Sequence, residues 1–218
     1  MDAPRLIVTP AAAELGLVAT SYVTTTLSNS KGHEEFDRLK QAALPRFLEQ
    51  YTPEFVANDP VILGFRALRQ AVGRSPKKYP CSIESLIGFL QRRGQLPSIN
   101  LAVDIYNLVS LETRLTMGAH DLDQVDGNIT LRLAQGEERF LPLGCETVES
   151  VRAGEYCYCD DTEVICRLDY KQCDKTKLSV DTRRCLFILQ GNKNTPEEML
   201  QQAKTRLTEL LNQFCATV

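Results

Sequence analysis

Residues 96–123, "LPSINLAVDIYNLVSLETRLTMGAHDLD", decide the fold because they combine a buried helix pattern with regularly spaced polar side chains. In a helix, Asn100, Asp104 and Asn107 stand at i, i+4 and i+7 and share one face. Asparagine and aspartate are poor interior helix residues unless their side chains are hydrogen bonded. Two interpretations remain open: an internal polar network that holds the following loop, or the lining of a ligand pocket.

The end of this stretch places His120 directly before Asp121, with Asp123 following, in a chain that has two histidines. One hypothesis is a catalytic or metal-binding cluster. The other is a polar turn in which the aspartates accept hydrogen bonds from backbone amides. Adjacent residues of an extended segment point apart, so three convergent metal ligands are difficult to arrange here. We therefore expect no metal and no cofactor.

Upstream of residue 96 the sequence favours one strand followed by helices. "LGLVATSYVTTTL" (15–27) is rich in β-branched residues, and "HEEFDRLKQAALPRFLEQY" (33–51) is predicted to be helical up to Pro45 or a little beyond. Asp59 before Pro60 is a good helix start, with an end near Gly73. "CSIESLIGFLQRRG" (81–94) carries an amphipathic stripe that Ser82 can cap and Gly94 can terminate.

Downstream of Asp126-Gly127 the pattern changes to short β runs. They are "NITLRLA" (128–134), "RFLPLG" (139–144), "EYCYC" (155–159), "EVICRL" (163–168) and "CLFILQG" (185–191). The segment 195–214 returns to helical spacing: Thr195 is predicted to cap it, Pro196 to start it, and its apolar residues form one stripe. Helices first and strands later predict an α+β class, with residues 1–218 as a single domain.

The overall composition limits the possible functions. The 218 residues carry a formal charge of -3, which indicates no general affinity for polyanions. An acid at position 2, Pro10 and Glu14 interrupt the apolar start, unlike a signal peptide, and no apolar run approaches a membrane span. We therefore expect a cytoplasmic protein without membrane contact.

The cysteines Cys157, Cys159, Cys166 and Cys173 are close enough in sequence to raise the hypothesis of a structural zinc site. Their spacing argues against it, because zinc ligands usually pair as C-x(2 to 4)-C, whereas C-Y-C places both sulfurs on one face of an extended strand. In a reducing compartment the expectation is buried strand cysteines.

A local basic run interrupts the mildly acidic chain. Between Pro60 and Ile83 there is no acid, and the basic residues are Arg66, Arg69, Arg74, Lys77 and Lys78, with Arg92 and Arg93 on the next helix. Such a run predicts phosphate contacts through counterion release if the charges converge in space. The alternative is a solvated helix face.

The opening stretch resembles the motif P-x-x-N-x-V-D-x-T-N-Y-V, continued by P-x-H-A-F-D, of the editing domain in the bacterial phenylalanyl-tRNA synthetase beta subunit. "YPCSIESL", "GNITLRLA", "PLG", "GEYCYCDDTEVICRLD" and the Thr182 region are similar to freestanding relatives of that module, over roughly residues 60–215. The resemblance implies an α+β fold with a helical layer on irregular, mostly antiparallel sheets and a C-terminal amphipathic helix. It also implies a tRNA partner with an aminoacylated 3′ end.

Carried over by position, the resemblance assigns Asn107 to the asparagine that lines the editing pocket. Tyr106 stands in place of the family's threonine. The family's pocket histidine falls at Gly118, Ala119 and Asp121 match the next positions, and His120 replaces a phenylalanine. The late strand "RRCLFILQG", which carries a hydroxyl-reading acid in the family, has none here.

The resemblance implies a deacylase that hydrolyses the ester of misacylated tRNA in trans and does not charge tRNA by itself. Asn107, Asp121 and His120 are the predicted catalytic residues. The predicted substrate-binding residues are Asn100, Asp104, Gly118 and Ala119. The displaced histidine and the missing acid favour a non-catalytic tRNA- or RNA-binding module as an alternative, and a metal-dependent hydrolase is a third.

Overall fold

The computed structural model describes residues 4–216, so the acid at position 2 and the ends of the predicted domain lie outside it. The helices are α1 (Pro10–Glu14), α2 (Glu34–Gln50), α3 (Pro53–Asn58), α4 (Pro60–Ala71), α5 (Ser82–Arg93), α6 (Leu101–Thr113) and α7 (Glu197–Phe214). The strands are β1 (Leu6–Val8), β2 (Leu17–Thr24), β3 (Thr116–Asp121), β4 (Ile129–Leu133), β5 (Arg139–Phe140), β6 (Glu149–Ser150), β7 (Tyr156–Cys159), β8 (Val164–Arg167), β9 (Lys171–Gln172) and β10 (Cys185–Asn192).

The strands form two main sheets and a small hairpin. The larger sheet has the order β1-β4-β7-β8-β9, and the second has the order β2-β10-β3. Only β1 and β4 pair in parallel among the described ladders, and every other pair is antiparallel. The predicted α+β class with mostly antiparallel sheets is confirmed.

The helical layer covers the sheets and places α6 in the interior. Helix α6 packs against α7 and β3, and α4 packs against β10. Ile105, Leu108 and Val109 of α6 are completely buried. The expected C-terminal amphipathic helix is α7, whose stripe from Leu200 to Phe214 is buried. Among residues 4–216, no helix is both long and apolar enough to cross a membrane.

Helix ends follow the predicted chemistry with two corrections. The Asp59 side chain accepts hydrogen bonds from Val61 and Ile62 at the start of α4, and Gly94 ends α5 with a φ of 67°. Cys81, and not Ser82, occupies the N-cap position of α5. Thr195 does not cap α7, because its hydroxyl accepts a hydrogen bond from the backbone of Asn192 instead.

The largest difference from the sequence-based expectation is at residues 116–121, which form strand β3. His120 and Asp121 belong to this strand, where they pair with Leu186 and Cys185 of β10, and the predicted turn begins only after Asp121, whose side chain accepts a hydrogen bond from the Asp123 amide. The hexapeptide "TMGAHD" becomes a strand here because a distant apolar strand provides its hydrogen-bond partners. By contrast, "RFLPLG" is shorter than predicted, with only Arg139–Phe140 in a strand.

Candidate functional site

The first turn of α6 contains a closed polar network around Asn100. Its Oδ1 atom accepts hydrogen bonds from the Val103 amide and from Asn29 Nδ2, each at 3.1 Å. Its Nδ2 atom donates to the Leu178 carbonyl at 3.3 Å, and Asn29 also donates to the Ser179 carbonyl. Asn100 thus caps the helix and holds the segment that precedes β10. A substrate-binding role does not fit Asn100, because its side chain is buried and already bonded.

Asp104 is the second member of this closed region. Its carboxylate accepts hydrogen bonds from Lys40 Nζ at 2.8 Å and from the Ile99 amide at 2.9 Å. The side chains of Lys40 and Asp104 are only 5% and 2% exposed. Burial opposes the charge of Lys40, but its hydrogen bond and charge interaction with Asp104 leave the pKa of Lys40 raised. Asp104 therefore holds α2 against α6, and the predicted substrate contact is not available.

Asn107 lies in a different environment from Asn100 and Asp104, on the same helix. It is half-buried, and its side chain forms no hydrogen bond with the described residues. It lines an open depression of about 250 Å³ between α5 and the chain after β8. The other lining residues are Ser82, Ser85, Leu86, Phe89, Pro97 and Tyr170. Asn107 can thus offer both its amide N–H groups and its carbonyl to a ligand.

A basic groove borders this depression. It has a volume of about 690 Å³, and Arg66, Lys77 and Arg92 line it together with Glu84 and Ser85. Ser85 also lines the depression, so the two concave surfaces adjoin. Arg66 is held in place by Glu84 through Nε and Nη2 at 2.9 and 2.7 Å. We call this surface the basic groove.

The predicted phosphate contacts separate into exposed and occupied groups. Lys77 and Lys78 are exposed, whereas Arg69 is 1% exposed and ion-paired with Asp169. Arg74 is ion-paired with Glu155, whose side chain is fully buried. Arg69 is therefore a structural residue and not a phosphate contact. The guanidinium group of Arg74 is likewise already paired, with Glu155. Arg92, which follows the predicted run, joins the groove instead.

His120 and Gly118 line a small cavity of about 40 Å³ on the other side of β3 from Asp121. His120 Nδ1 lies 2.7 Å from Thr176 Oγ1. Burial lowers the pKa of His120 to about 4, so the ring is neutral at pH 7. Gly118 leaves open space where a side chain would stand. A cavity of this size accepts a water molecule or two but not a large side chain.

Asp121 and Ala119 face away from that cavity. Asp121 Oδ2 accepts a hydrogen bond from Thr182 Oγ1 at 2.6 Å, and Oδ1 accepts from the Asp123 amide at 3.0 Å. Ala119 is buried, and its carbonyl accepts from Gln172 Nε2. The structure therefore does not bring the three predicted catalytic residues together: Asn107 lines the depression, His120 lines the small cavity, and Asp121 lies on the opposite face of β3.

Sequence reasoning missed the polar residues that share the cavity with His120. Gln190 of β10 donates from Nε2 to Asp169 Oδ2 at 3.2 Å and accepts a hydrogen bond from the Tyr158 hydroxyl. Asp169 also accepts from the Ser82 amide at 3.3 Å, which connects the cavity wall to the depression. The late strand lacks an acid, yet Asp169 brings a carboxylate to this cavity. Side chains alternate between the two faces of a strand, and this alternation along "CLFILQG" was the sequence signal that could have placed Gln190 in the cavity.

The four clustered cysteines do not converge. Cys157 and Cys159 lie on one face of β7 as expected, with their Sγ atoms 3.5 Å apart. Cys166 lines the His120 cavity, and Cys173 Sγ lies 3.3 Å from Thr176 Oγ1. Across residues 4–216, no three His, Cys, Asp or Glu side chains form a group that could hold a metal ion. The metal-dependent hydrolase hypothesis thus has no ligand set here.

Comparison with known proteins agrees with this fold and these motifs. The structure of an N-terminal fragment of the phenylalanyl-tRNA synthetase beta subunit from Pyrococcus horikoshii matches with a TM-score of 0.52 and 11% identity, covering 98% of this chain and 49% of that one. The two chains therefore share an α+β fold of the phenylalanyl-tRNA synthetase beta-subunit type.

A family model described as the B3/4 domain matches residues 65–216, and the chain belongs to that family. The phenylalanine-tRNA ligase beta subunit of Pseudomonas putida is 31% identical over 97 residues, covering 44% of this chain and 12% of the relative. That of Chromobacterium violaceum is 47% identical over 60 residues, covering 28% and 8%. The chain thus spans about a tenth of the length of these relatives.

Proposed function

We propose that the protein binds tRNA and hydrolyses the ester bond of misacylated aminoacyl-tRNA in trans, as a single domain in protein biosynthesis. Membership of the B3/4 family and likeness to phenylalanine-tRNA ligase beta subunits support a tRNA partner. The observation that carries the proposal is the junction, at Ser85, of the basic groove with the Asn107 depression. A phosphate-binding surface next to a pocket with an unbonded amide fits a charged tRNA 3′ end.

The basic groove supplies the phosphate contacts. Lys77 and Arg92 are exposed and lie on its wall with Arg66, so they can neutralise successive phosphates of a single strand. Phe89 and the exposed Tyr170 line the neighbouring depression and offer aromatic faces to a terminal base. This arrangement leads the 3′ end from the groove toward Asn107.

The chemistry required of the depression is modest, because an aminoacyl ester is already activated. Asn107 donates its amide to the ester carbonyl and stabilises the oxyanion that forms when water attacks. The ribose hydroxyl leaves as the carbon–oxygen bond breaks, and the neighbouring 2′-hydroxyl can assist proton transfer. Positioning of substrate and water then accounts for much of the rate.

A non-catalytic tRNA- or RNA-binding module is the second candidate. The depression is lined by no Asp, Glu or His among the described residues, so it lacks a conventional general base. Neutral His120 lies in the separate small cavity. This candidate predicts salt-sensitive tRNA binding without turnover.

A panel of correctly and wrongly charged tRNAs, incubated with the full chain, tests catalysis. We expect release of amino acid from at least one wrongly charged tRNA, and a roughly 10²- to 10³-fold lower rate for Asn107→Ala, because one oxyanion donor is lost. Asn107→Asp is the matched variant, since it keeps the shape but removes the donor. Absence of deacylation with every substrate at micromolar protein would reject the hydrolase.

Binding is tested separately by the salt dependence of tRNA affinity. Lys77→Ala and Arg92→Ala should each weaken binding and reduce the logarithmic salt slope by about 0.7 to 0.9. Lys31→Ala is the control, because Lys31 is exposed but does not line the groove. If all three variants changed tRNA affinity equally, the basic groove would not be the tRNA-binding surface.

A further inference from the structure

Lys77, a wall residue of the basic groove, lies on a tight turn between α4 and α5. The Ser75 carbonyl accepts hydrogen bonds from the amides of Lys78 at 3.1 Å and Tyr79 at 2.9 Å. Serine in the first position of a β-turn and proline in the second, as in Ser75-Pro76, favour this conformation. Lys77 occupies the third position, is exposed and lines the groove. The geometry of the turn thus determines where this charge lies.

The backbone of Tyr79 fixes the end of this turn to the protein interior. Its carbonyl accepts a hydrogen bond from Arg69 Nε at 2.9 Å. Arg69 is 1% exposed and ion-paired with Asp169, so this contact point does not move with the surface. The start of the turn is fixed to the same residue, because the Arg74 amide donates to the Arg69 carbonyl at 2.8 Å.

The ring of Tyr79 provides a second contact, which depends on the side chain. The guanidinium carbon of Arg74 lies over the ring, 4.9 Å from its centroid, and that of Arg167 on β8 lies over it at 5.9 Å. Glu155, which is fully buried, binds both guanidinium groups. The two cations are therefore already held by a carboxylate, and their attraction to the ring within about 6 Å fixes the side chain of Tyr79.

We propose that Tyr79 is a positioning residue of the basic groove, which holds the 75–78 turn so that Lys77 meets a phosphate of the bound strand. The proposal rests on the proposed function, because it requires that the groove binds tRNA. A lysine on a mobile turn loses conformational freedom when it binds a phosphate, whereas a turn that is already fixed has less to lose. Tyr79 itself does not line the groove, so it acts through Lys77.

A double-mutant cycle of tRNA affinity tests whether Tyr79 acts through Lys77. Tyr79→Ala should raise the dissociation constant by about three- to eightfold at about 0.1 M salt, approaching the effect of Lys77→Ala although it removes no charge. In the Lys77→Ala background the same substitution should change the affinity by less than about twofold, because the positioned charge is already absent. A merely structural role would weaken binding by equal factors in both backgrounds, and that result would overturn the proposal.

Two further variants serve as controls for the ring. Tyr79→Phe keeps the ring and the carbonyl and loses only the contact of the hydroxyl with Arg74 Nη1 at 3.4 Å, so it should bind tRNA like the parent. Tyr22→Ala should also leave the affinity unchanged, because Tyr22 is half-buried like Tyr79 but packs against Phe187 in the β2-β10-β3 sheet. Binding by Tyr79→Phe as weak as that by Tyr79→Ala, or an equal loss in Tyr22→Ala, would contradict the role of the ring.

Hydrogen–deuterium exchange of the free full chain tests the fixed turn without tRNA. The amides at positions 78 and 79, both bonded to the Ser75 carbonyl, should exchange about tenfold faster in Tyr79→Ala after correction for intrinsic rates, and as in the parent in Tyr79→Phe. The amides of α5 should not change, which separates release of the turn from global unfolding. A parent chain that binds no tRNA would reject the proposed function, whereas unchanged exchange at positions 78 and 79 would reject the positioning role of Tyr79.

Discussion

At the first turn of α6, Asn100 and Asp104 have hydrogen-bond partners on several sides, whereas Asn107, less than a turn beyond Asp104, has none among the described residues. The three side chains are short, polar and nearly equal in size and spacing. Their difference comes from what the fold packs against each one. A polar side chain already bonded inside a protein contributes to stability, and an unbonded one at an open surface is available to a ligand.

The largest expected effect on stability is that of Lys40→Met, which tests the hydrogen-bonded side chains at the start of α6. It leaves the Asp104 carboxylate buried without its cation, which costs about 3–5 kcal/mol in the free energy of unfolding. Urea denaturation followed by circular dichroism measures the loss. The double variant Lys40→Met with Asp104→Leu should recover part of it, because no charge then remains buried. A single variant as stable as the parent would contradict the structural role.

Asn100→Ala should have an intermediate effect, a loss of about 1–2 kcal/mol, because the N-cap bond and the link to residues 178 and 179 disappear together. Thr52→Ala is a suitable comparison, since Thr52 caps the short helix α3 at an exposed position and should cost less. If both substitutions lower the free energy of unfolding by the same amount, the hydrogen bonds to residues 178 and 179 contribute nothing measurable.

The smallest expected effect on stability is that of Asn107→Ala, within about 0.5 kcal/mol, because no intramolecular hydrogen bond is lost. The same substitution should nevertheless abolish most deacylation. A stable but inactive variant sharpens the contrast between the two halves of α6. A destabilisation above 2 kcal/mol would place Asn107 with Asn100 and Asp104.

Local patterns were sufficient for much of the fold. The start of α4 at Asp59-Pro60, the end of α5 at Gly94 and the apolar stripe of α7 are encoded within a few residues, and the structure confirms them. Strand β3 could not be predicted in this way. Its ladder partners in β10 lie 64 to 74 residues away in sequence, and nothing local in "MGAHD" favours an extended conformation.

The candidate site was predicted less well than the fold, for a similar reason. Helical spacing placed Asn100, Asp104 and Asn107 close together, but spacing does not reveal that Lys40 and Asn29 occupy two of them. The basic run likewise contained both Arg69, paired with Asp169, and Lys77, which is exposed. Which charges converge depends on the distant acids that neutralise the others.

The Asn29–Asn100 bond also has a consequence for folding during synthesis. Its two residues are 71 positions apart, and the bond from Asn29 to Ser179 spans 150 positions. On the ribosome, Asn29 can meet its last partner only after residue 179 has left the exit tunnel. Contacts of such long range close late in folding, because the chain entropy of a large loop must be overcome first. The start of the helix at Asn100 can therefore bond to Asn29 early, but it gains its contacts with residues 178 and 179 only after that later segment has been made.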